Sequence, residues 1–352
     1  MNLIDVLKRN EELVLWNRFR IHRNKPDFRK HVLEGYNNPE FLNVEELGED
    51  YPGKTIYLAD EQGGNMGFFA ELGVSLIKLY FADHRGFTPY VSWGKEFLYY
   101  DPNYNSDDDN MFLEFFDQVS EVKGVSNAAH LVRSHYTHYE WVKKRFNVVS
   151  YEVSEEYVDA MASMMKKYVR YNFKTSNYLK TEFVRLLGSE DAGRYTIGVH
   201  YRGTDFKRGY NNHPVMVETS QLISEVHQLL DSDVKYKQIF LATDDDEAVD
   251  VFRSEFGNKV YLFSDVYRDE GGDESIAFSM SDRENHKYKL CLEVLRDQYT
   301  LTGCDALVCG YSNVTFLARI MRKAWYDDYF KEFRLIDNGI NHNGKSFSAS
   351  LH

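Results

Sequence analysis

The second half of the chain alternates short apolar runs with helical patterns, and this alternation limits the folds that are open to it. Four apolar runs have the length of strands, at Thr196–Val199, Gln238–Thr243, Val260–Phe263 and Ala306–Cys309. Helical patterns follow at 219–230, 247–256, 288–302 and 315–324, the first with Thr219 as a candidate N-cap. Strands that alternate with helices at this spacing predict a doubly wound parallel sheet.

The first half contains a further strand–loop–helix–strand unit. Its parts are the strand-like run Thr55–Asp60, the glycine-rich loop Glu61–Gly67, the helical pattern Phe68–Phe81 and a second strand at Phe87–Trp93. The loop is not GxGxxG and has no Walker lysine, so a tight structural turn and a ligand-binding loop both stay open. A long helical segment follows at 152–187, and we expect its methionine stripe to lie in the core.

The length of the chain predicts two domains. At 352 residues it exceeds the usual size of one hydrophobic core. We place an N-terminal α/β domain at 1–180 and a C-terminal Rossmann-like domain at 181–337. Residues 338–352 are polar, and we expect them to form a poorly ordered tail.

Charge and cysteine content exclude several classes of protein. The net charge of −13 argues against a nucleic-acid binder, which needs Lys and Arg to neutralise phosphates. Cys291, Cys304 and Cys309 show no metal-binding spacing, and such a sparse set is typical of buried thiols in a reducing compartment.

The hydropathy pattern predicts a cytoplasmic protein. No apolar run near the start has the length of a signal peptide, and none approaches the roughly 20 residues of a membrane span. The basic stretch Trp16–Lys30 leaves two interpretations open: a peripheral contact with the anionic inner face of a membrane, or a solvated helix face.

Polar side chains follow three of the strands in the second half. The clusters are His200, Arg202 and Asp205; Thr243, Asp244 and Asp245; and Gly310, Ser312 and Asn313. Because the carboxyl ends of parallel strands share one edge of a sheet, we expect these clusters to form one site. Arg202 is suited to an anion, and the helix that follows Ser312 would add N–H donors for a phosphate. Helix capping alone also favours Asp and Ser at such junctions, so a structural role stays open for each of them.

Other kinds of site find little support. The acidic loop Asp101–Asn110 lacks the spacing of oxygen ligands that a cation site needs, and no metal is expected. There is no GxSxG elbow for a serine hydrolase, and each cysteine lies in an apolar segment that does not suit a nucleophile.

The strand-end segments also resemble a known family. GVHYRGTD, at Gly198–Asp205, resembles the HxRxTD signature of the α1,6-fucosyltransferase and NodZ group, which is related to the protein O-fucosyltransferases. Phe240–Asp245 and Leu295–Asn313 resemble the second and third motifs of that group. The likeness covers Gly198–Met321, and the first 180 residues show only a general likeness to the acceptor-side domain. It implies a GT-B fold of two facing Rossmann-like domains, with GDP-fucose held mainly by the C-terminal one, and an inverting, metal-independent transfer.

The resemblance also implies roles for single residues. Arg202 would bind the donor diphosphate and stabilise the leaving GDP, and Ser312 would hydrogen-bond the β-phosphate. The residues implied for the nucleoside end are His200 and Asp297, which would contact guanosine, and Asp244 and Asp245, which would shape the pocket. The implied partners are a GDP-sugar donor and a glycan acceptor, such as a cell-surface polysaccharide or oligosaccharide, and no bound cofactor is expected.

The chain departs from the family pattern directly after Arg202. Gly203 and Phe206 stand where the α1,6 enzymes have basic residues, and the position of their downstream Glu falls near Tyr210. Neither the general base nor the acceptor therefore follows from the resemblance. The candidates are Asp205, then His213 and Glu218, for the base, and Lys207 or Arg208 for a second cation. Two other functions stay open: transfer from a different nucleotide sugar, and non-catalytic binding of a nucleotide or carbohydrate.

Overall fold

The structure is a computed structural model that describes residues 42–61, 66–101, 109–148, 153–203, 205–232, 236–268 and 275–342; of Asp205 it describes the backbone alone. The strands are β1 Val44–Glu45, β2 Ile56–Asp60, β3 Thr88–Ser92, β4 Leu131–Arg133, β5 Thr196–Tyr201, β6 Gln238–Thr243, β7 Val260–Tyr261, β8 Ala306–Gly310 and β9 Glu332–Ile336. The α-helices are α1 Phe68–Arg85, α2 Tyr136–Arg145, α3 Glu155–Tyr168, α4 Phe173–Leu187, α5 Thr219–Leu230, α6 Asp246–Phe256, α7 His286–Gly303 and α8 Asn313–Tyr326.

The C-terminal sheet is parallel throughout. Its strand order is β7-β6-β5-β8-β9, so β5 lies at the centre with β6 and β8 on either side. Chain order 3-2-1-4-5 means that the connections run first to one side of β5 and then to the other. This is the arrangement of a doubly wound sheet, as the sequence predicts.

Both faces of this sheet are buried. Ile197 and Val199 of β5 pack with side chains of α5 and α6 in one cluster, while Leu307 of β8 packs with α7 and α8 in another. Side chains alternate between the faces, so His200 lies on the α7 and α8 side of β5. Helix α7 packs closely against this face. A Cβ placed on Gly198 of β5 would lie only 3.2 Å from the Leu301 side chain of α7.

The N-terminal sheet is smaller and mixed. Its order is β1-β4-β2-β3, with β2 parallel to both β3 and β4 and with β1 antiparallel to β4 at the edge. Helix α1 connects β2 to β3, which confirms the predicted βαβ unit. The predicted fold class, α/β with two Rossmann-like sheets, is confirmed.

The chain forms two compact units, and each of them is built from three separate segments of the sequence. The first comprises the described parts of Met1–Asp60, Val74–Ser92 and Gln118–Met164, and the second those of Glu61–Gly73, Trp93–Asp117 and Met165–His352. The boundary expected after residue 180 falls inside α4, which belongs wholly to the second unit. Two segments of the first half thus pack with the C-terminal unit.

Several local predictions need correction. The N-cap of α5 is Glu218 rather than Thr219, since Glu218 has an extended backbone (φ −76°, ψ 146°) and the helix begins at Thr219. The Glu218 N–H donates to the Gln221 side-chain oxygen at 3.0 Å. Residues 338–342, expected to begin a poorly ordered tail, instead pair with the chain at 212–215. Asn212 donates to the Asn341 carbonyl at 2.7 Å and Val215 to the Gly339 carbonyl at 2.8 Å.

Other expectations are confirmed or fall outside the described ranges. The methionine stripe of α3 is buried, and so are all three cysteines, whose thiol pKa values are raised by burial. None of the described helices has the length and apolar character needed to cross a membrane. The basic stretch at 16–30, the glycines at 63 and 64, and most of the acidic loop at 101–110 lie outside the described residues.

Candidate functional site

The three predicted polar clusters meet at one edge of the C-terminal sheet. Strand β5 pairs with β6 so that Tyr201 lies opposite Thr243, and with β8 so that His200 lies opposite Cys309. All three strands are parallel and adjacent, which brings their carboxyl ends together. The residues that follow them are therefore neighbours, although they are about 40 to 110 positions apart in sequence.

Arg202 is held at this edge by two side chains. One terminal nitrogen lies 2.7 Å from Asp244 Oδ2, and the other donates to Ser275 Oγ at 2.9 Å. The other Asp244 oxygen accepts from the Gly203 N–H at 2.9 Å. The Arg202 side chain remains 28% exposed, whereas that of Asp244 is 13% exposed. The guanidinium is thus fixed in place with part of its surface open to a ligand.

Asp245 has a structural role that the sequence left open. It is the N-cap of α6, and its Oδ1 accepts from the N–H groups of Glu247 at 2.8 Å and Ala248 at 3.4 Å. Its Oδ2 lies 2.8 Å from the Lys207 ammonium. Asp245 is almost fully buried, so it acts on the site through these contacts and through its charge.

The start of α8 lies beside His200. Ser312 is the N-cap, its Oγ accepts from the Thr315 N–H at 3.1 Å, and the same Oγ lies 3.5 Å from His200 Nδ1. Burial lowers the pKa of His200 to about 4, with Arg202 acting in the same direction and Asp244 against it. The imidazole is therefore neutral at pH 7 and can donate from one nitrogen and accept at the other. Asn313, the first residue of α8, is exposed.

Asp297 lies on the buried side of α7. Burial raises the pKa of its carboxyl to about 7, against the lowering effect of Arg296 and Arg268. Arg268 in turn donates to the main-chain oxygen of Thr243, the last residue of β6, at 3.1 Å. Arg268 thus contacts the end of β6, and its charge also acts on Asp297, which lies 54 positions after Thr243 in the sequence.

The three candidates for the general base lie at different points along the segment between β5 and α5. The side chain of Asp205 lies outside the described residues, and the backbone begins the 3-10 helix Asp205–Arg208. His213 packs near Tyr210, with ring centroids 5.7 Å apart, and Glu218 is exposed at the start of α5. All three belong to the segment that follows β5.

A recess opens next to Arg202. It is lined by His200, Tyr201, Arg202, Phe206, Val215, Val217, Gly310 and Tyr311. One side offers a guanidinium and an imidazole, and the rest is largely aromatic and aliphatic. Ligand sites commonly combine an apolar lining with few polar groups in this way.

Several of these residues were not found from the sequence. Ser275 and Arg268 touch Arg202 and Thr243, but they come from the segment after β7, which carries no motif. Phe206 stood out in the sequence only as a departure from the family pattern, and Val215 and Val217 carried no signal. An apolar side chain beside a strand end looks the same in sequence whether it packs in a core or lines a recess.

The described part of the chain contains no group of three or more His, Cys, Asp or Glu side chains placed to hold a metal ion. Asp244 and Asp245 each have a cationic partner at 2.7–2.8 Å. The arrangement is suited to an anion that meets the exposed part of Arg202 and the N-terminus of α8.

No protein-family model and no curated protein sequence matches the chain. Among solved structures it is similar to the NodZ α-1,6-fucosyltransferase soaked with GDP-fucose, with 14% identity and a TM-score of 0.48 over 76% of this chain and 92% of that one. It is also similar to the fucosyltransferase NodZ from Bradyrhizobium, with 14% identity and a TM-score of 0.43 over the same shares. A third is POFUT1 in complex with GDP, with 10% identity and a TM-score of 0.44 over 81% of this chain and 98% of that one. At these values the likeness transfers neither substrate nor activity to this chain.

Proposed function

We propose that this chain is an inverting, metal-independent glycosyltransferase that transfers fucose from GDP-fucose to a glycan acceptor. The observation that carries the proposal is the fixed, partly exposed Arg202 at the carboxyl end of the central strand, with the N-terminus of α8 beside it. The sequence resemblance to fucosyltransferases supplies the identity of the donor.

Departure of the nucleoside diphosphate requires positive charge at the bond that breaks. The acceptor oxygen attacks the anomeric carbon, the bond from that carbon to the β-phosphate oxygen breaks, and negative charge grows on the leaving GDP. Arg202 is already oriented by Asp244 and Ser275, so it can stabilise that charge without rearrangement. The N–H groups at the start of α8 would act in the same direction.

The acceptor hydroxyl must lose its proton during the transfer, which requires a general base. Asp205 remains our candidate, with His213 and Glu218 after it. All three lie between β5 and α5, in the segment that contributes Phe206, Val215 and Val217 to the recess. Acceptor specificity is proposed to belong to the N-terminal half, in the loops Glu61–Gly67 and Asp101–Asn110.

The nucleoside end of the donor is assigned to His200 and Asp297. A carboxylate accepts well from the paired N–H groups of a guanine ring, and a neutral imidazole can donate or accept. Asp244 and Asp245 would act indirectly, since each carboxylate is engaged by a cation at the same edge. Ser312 and Asn313 complete the proposed donor site at the start of α8.

A first experiment identifies the nucleotide. The unfolding temperature is measured with GDP, UDP, ADP and CMP, because a ligand that binds only the folded state raises it. GDP is expected to give the largest rise. A larger rise with another nucleotide would change the donor and keep the site, whereas no rise with any of them would contradict a nucleotide site.

A second experiment tests the reaction. Radiolabelled GDP-fucose is offered with a panel of glycan acceptors, with and without EDTA, and transfer is expected in both conditions. Activity that is lost in EDTA and restored by Mn²⁺ would contradict the metal-independent mechanism. Nucleotide binding with neither transfer nor donor hydrolysis would favour a non-catalytic binding protein.

A further inference from the structure

A second cation lies at the same edge of the sheet as Arg202. Lys207 belongs to the 3-10 helix Asp205–Arg208, which follows β5 after a short connection. Its ammonium lies 2.8 Å from Asp245 Oδ2 and 3.9 Å from Glu247 Oε2, and its side chain is 27% exposed. Arg202 and Lys207 are therefore both partly exposed, and each is paired with one of two consecutive carboxylates.

The Asp245 carboxylate has hydrogen-bond partners other than Lys207. Its other oxygen accepts two N–H groups at the start of α6, and a carboxylate at a helix N-terminus is also stabilised by the helix dipole. If the ammonium turned towards a bound anion, the carboxylate would keep these partners. Lysine is suited to such a change, because it is a compact charge on a flexible stem.

Gly203 leaves no room for a cationic side chain directly after Arg202, so a second cation has to come from further along the chain. A Cβ at this position would lie 2.5 Å from Asp245 Cβ and Oδ2 and 2.7 Å from Tyr201 Cε1. The space beside Arg202 is taken by the Asp245 carboxylate, so no side chain can leave the backbone there. That same carboxylate is the group that fixes Lys207.

We propose that Lys207 is a second diphosphate-binding residue, which Asp245 holds in place next to Arg202 until the ligand arrives. The proposal rests on the proposed function, and it assigns the ligand chemistry of this position as a nucleoside diphosphate. The two cations have separate carboxylate partners, Asp244 for Arg202 and Asp245 for Lys207. Arg208, the neighbouring cation, instead donates to the Tyr210 hydroxyl at 3.1 Å.

The test is calorimetric titration of the full chain with a nucleoside diphosphate, its monophosphate and its nucleoside. The guanine series is used first, and the uracil series if UDP raises the unfolding temperature more. Lys207→Met is expected to lower the affinity for the diphosphate about tenfold, since hydrogen bonds to charged groups are worth more than neutral ones. We expect a smaller loss for the monophosphate and none for the nucleoside, with Lys207→Arg restoring most of the loss.

Two further variants make the test specific. Lys166→Met also removes one lysine from a lysine–aspartate pair, that with Asp327, and should leave all three affinities unchanged. Arg208→Met should likewise have no effect, and a loss there without one in Lys207→Met would overturn the assignment. An equal loss for diphosphate and nucleoside in Lys207→Met would also overturn it, since that result indicates a structural role through Asp245.

The two proposals fail in different ways. A wild-type chain that binds the diphosphate, together with an unchanged Lys207→Met variant, would remove Lys207 from the site and leave the proposed function standing. A wild-type chain that binds none of these nucleotides would contradict both.

Discussion

Each sheet of this protein has an acid–base pair at the carboxyl end of a strand, and the two pairs are built in opposite ways. At the end of β5 the cation Arg202 is 28% exposed and its partner Asp244 is 13% exposed. At the end of β2 the cation Lys78 is fully buried and its partner Asp60 is 39% exposed. Lys78 donates to the main-chain oxygen of Asp60 and lies 3.5 Å from its carboxylate, which Ser134 also contacts.

This difference decides what a ligand would meet at each edge. An anion that approaches the end of β5 meets Arg202, because Asp244 is the more buried partner. An anion that approaches the end of β2 meets the Asp60 carboxylate, because Lys78 is buried and donates to the backbone. A cation pairs with an aspartate at the end of a strand in both sheets, but the cation is the more exposed partner in the C-terminal sheet and the buried partner in the N-terminal sheet.

The largest expected effect is the loss of activity on removal of the exposed cation. Arg202→Ala should lower the turnover of fucose transfer by about 10²–10³-fold, since one oriented donor at a developing negative charge is worth that much. The fold should persist, because the side chain is partly exposed and Asp244 keeps the Gly203 N–H. The measurement is steady-state transfer, with circular dichroism as the control for folding. Near-normal turnover in a folded Arg202→Ala variant would remove Arg202 from the mechanism.

The buried cation should show the reverse pattern. Lys78→Met should lower the free energy of unfolding by about 2 kcal/mol, because it removes the buried donor to the Asp60 main-chain oxygen and the cation beside the Asp60 carboxylate. The partial exposure of Asp60 and its remaining contact with Ser134 reduce the cost. Nucleotide affinity should not change. Urea unfolding measures the first quantity and calorimetric titration the second.

A matched control lies in the same unit. Lys54 pairs with Glu121 at the surface, where solvent screens the charges, so Lys54→Met should destabilise the fold less than Lys78→Met does. If Lys78→Met is no more destabilising than Lys54→Met, or if it weakens nucleotide binding, then the proposed difference between a structural Lys78 and an anion-binding Arg202 is wrong.

The sequence was informative wherever a long apolar run ended in polar residues. Strands β5, β6 and β8 were found this way, and their parallel order then placed His200, Arg202 and Asp244 at one edge. Strands β1 and β4 have only two and three residues, and β9 is only partly buried, so their patterns did not stand out.

The partners of the site residues were harder to predict than the residues themselves. Ser275 reaches Arg202 across 73 positions of sequence, and nothing in a single sequence marks such a pair. Nothing in the sequence indicated that the Lys78 side chain is buried whereas the Arg202 side chain is partly exposed. A lysine in an apolar helical pattern is compatible with either a buried or an exposed ammonium, and packing decides between them.

A smaller effect would sharpen the contrast further, because the C-terminal unit also contains two buried groups whose pKa values are shifted in favour of the neutral form. Asp297 has a pKa of about 7 in the folded state against an ordinary value of 3.8, so the stability it contributes is present below about pH 4 and is lost as the pH rises to 7. His200 has a pKa of about 4 against an ordinary 6.5, so its contribution is present above pH 6.5 and is lost as the pH falls to 4. Between pH 4 and 6.5 the two effects have opposite signs and offset each other in the wild-type chain.

Single variants should separate these two effects. Relative to wild type, the free energy of unfolding of Asp297→Asn should rise with pH between 4 and 6.5, by up to about 1.4 kcal/mol per pH unit. That of His200→Gln should fall with pH over the same range by a similar amount. The double variant should return to the wild-type profile, because both proton-linked differences are then absent. Urea unfolding at half-unit pH intervals measures all four profiles, and parallel curves for the four proteins would mean that neither group is held neutral by the fold.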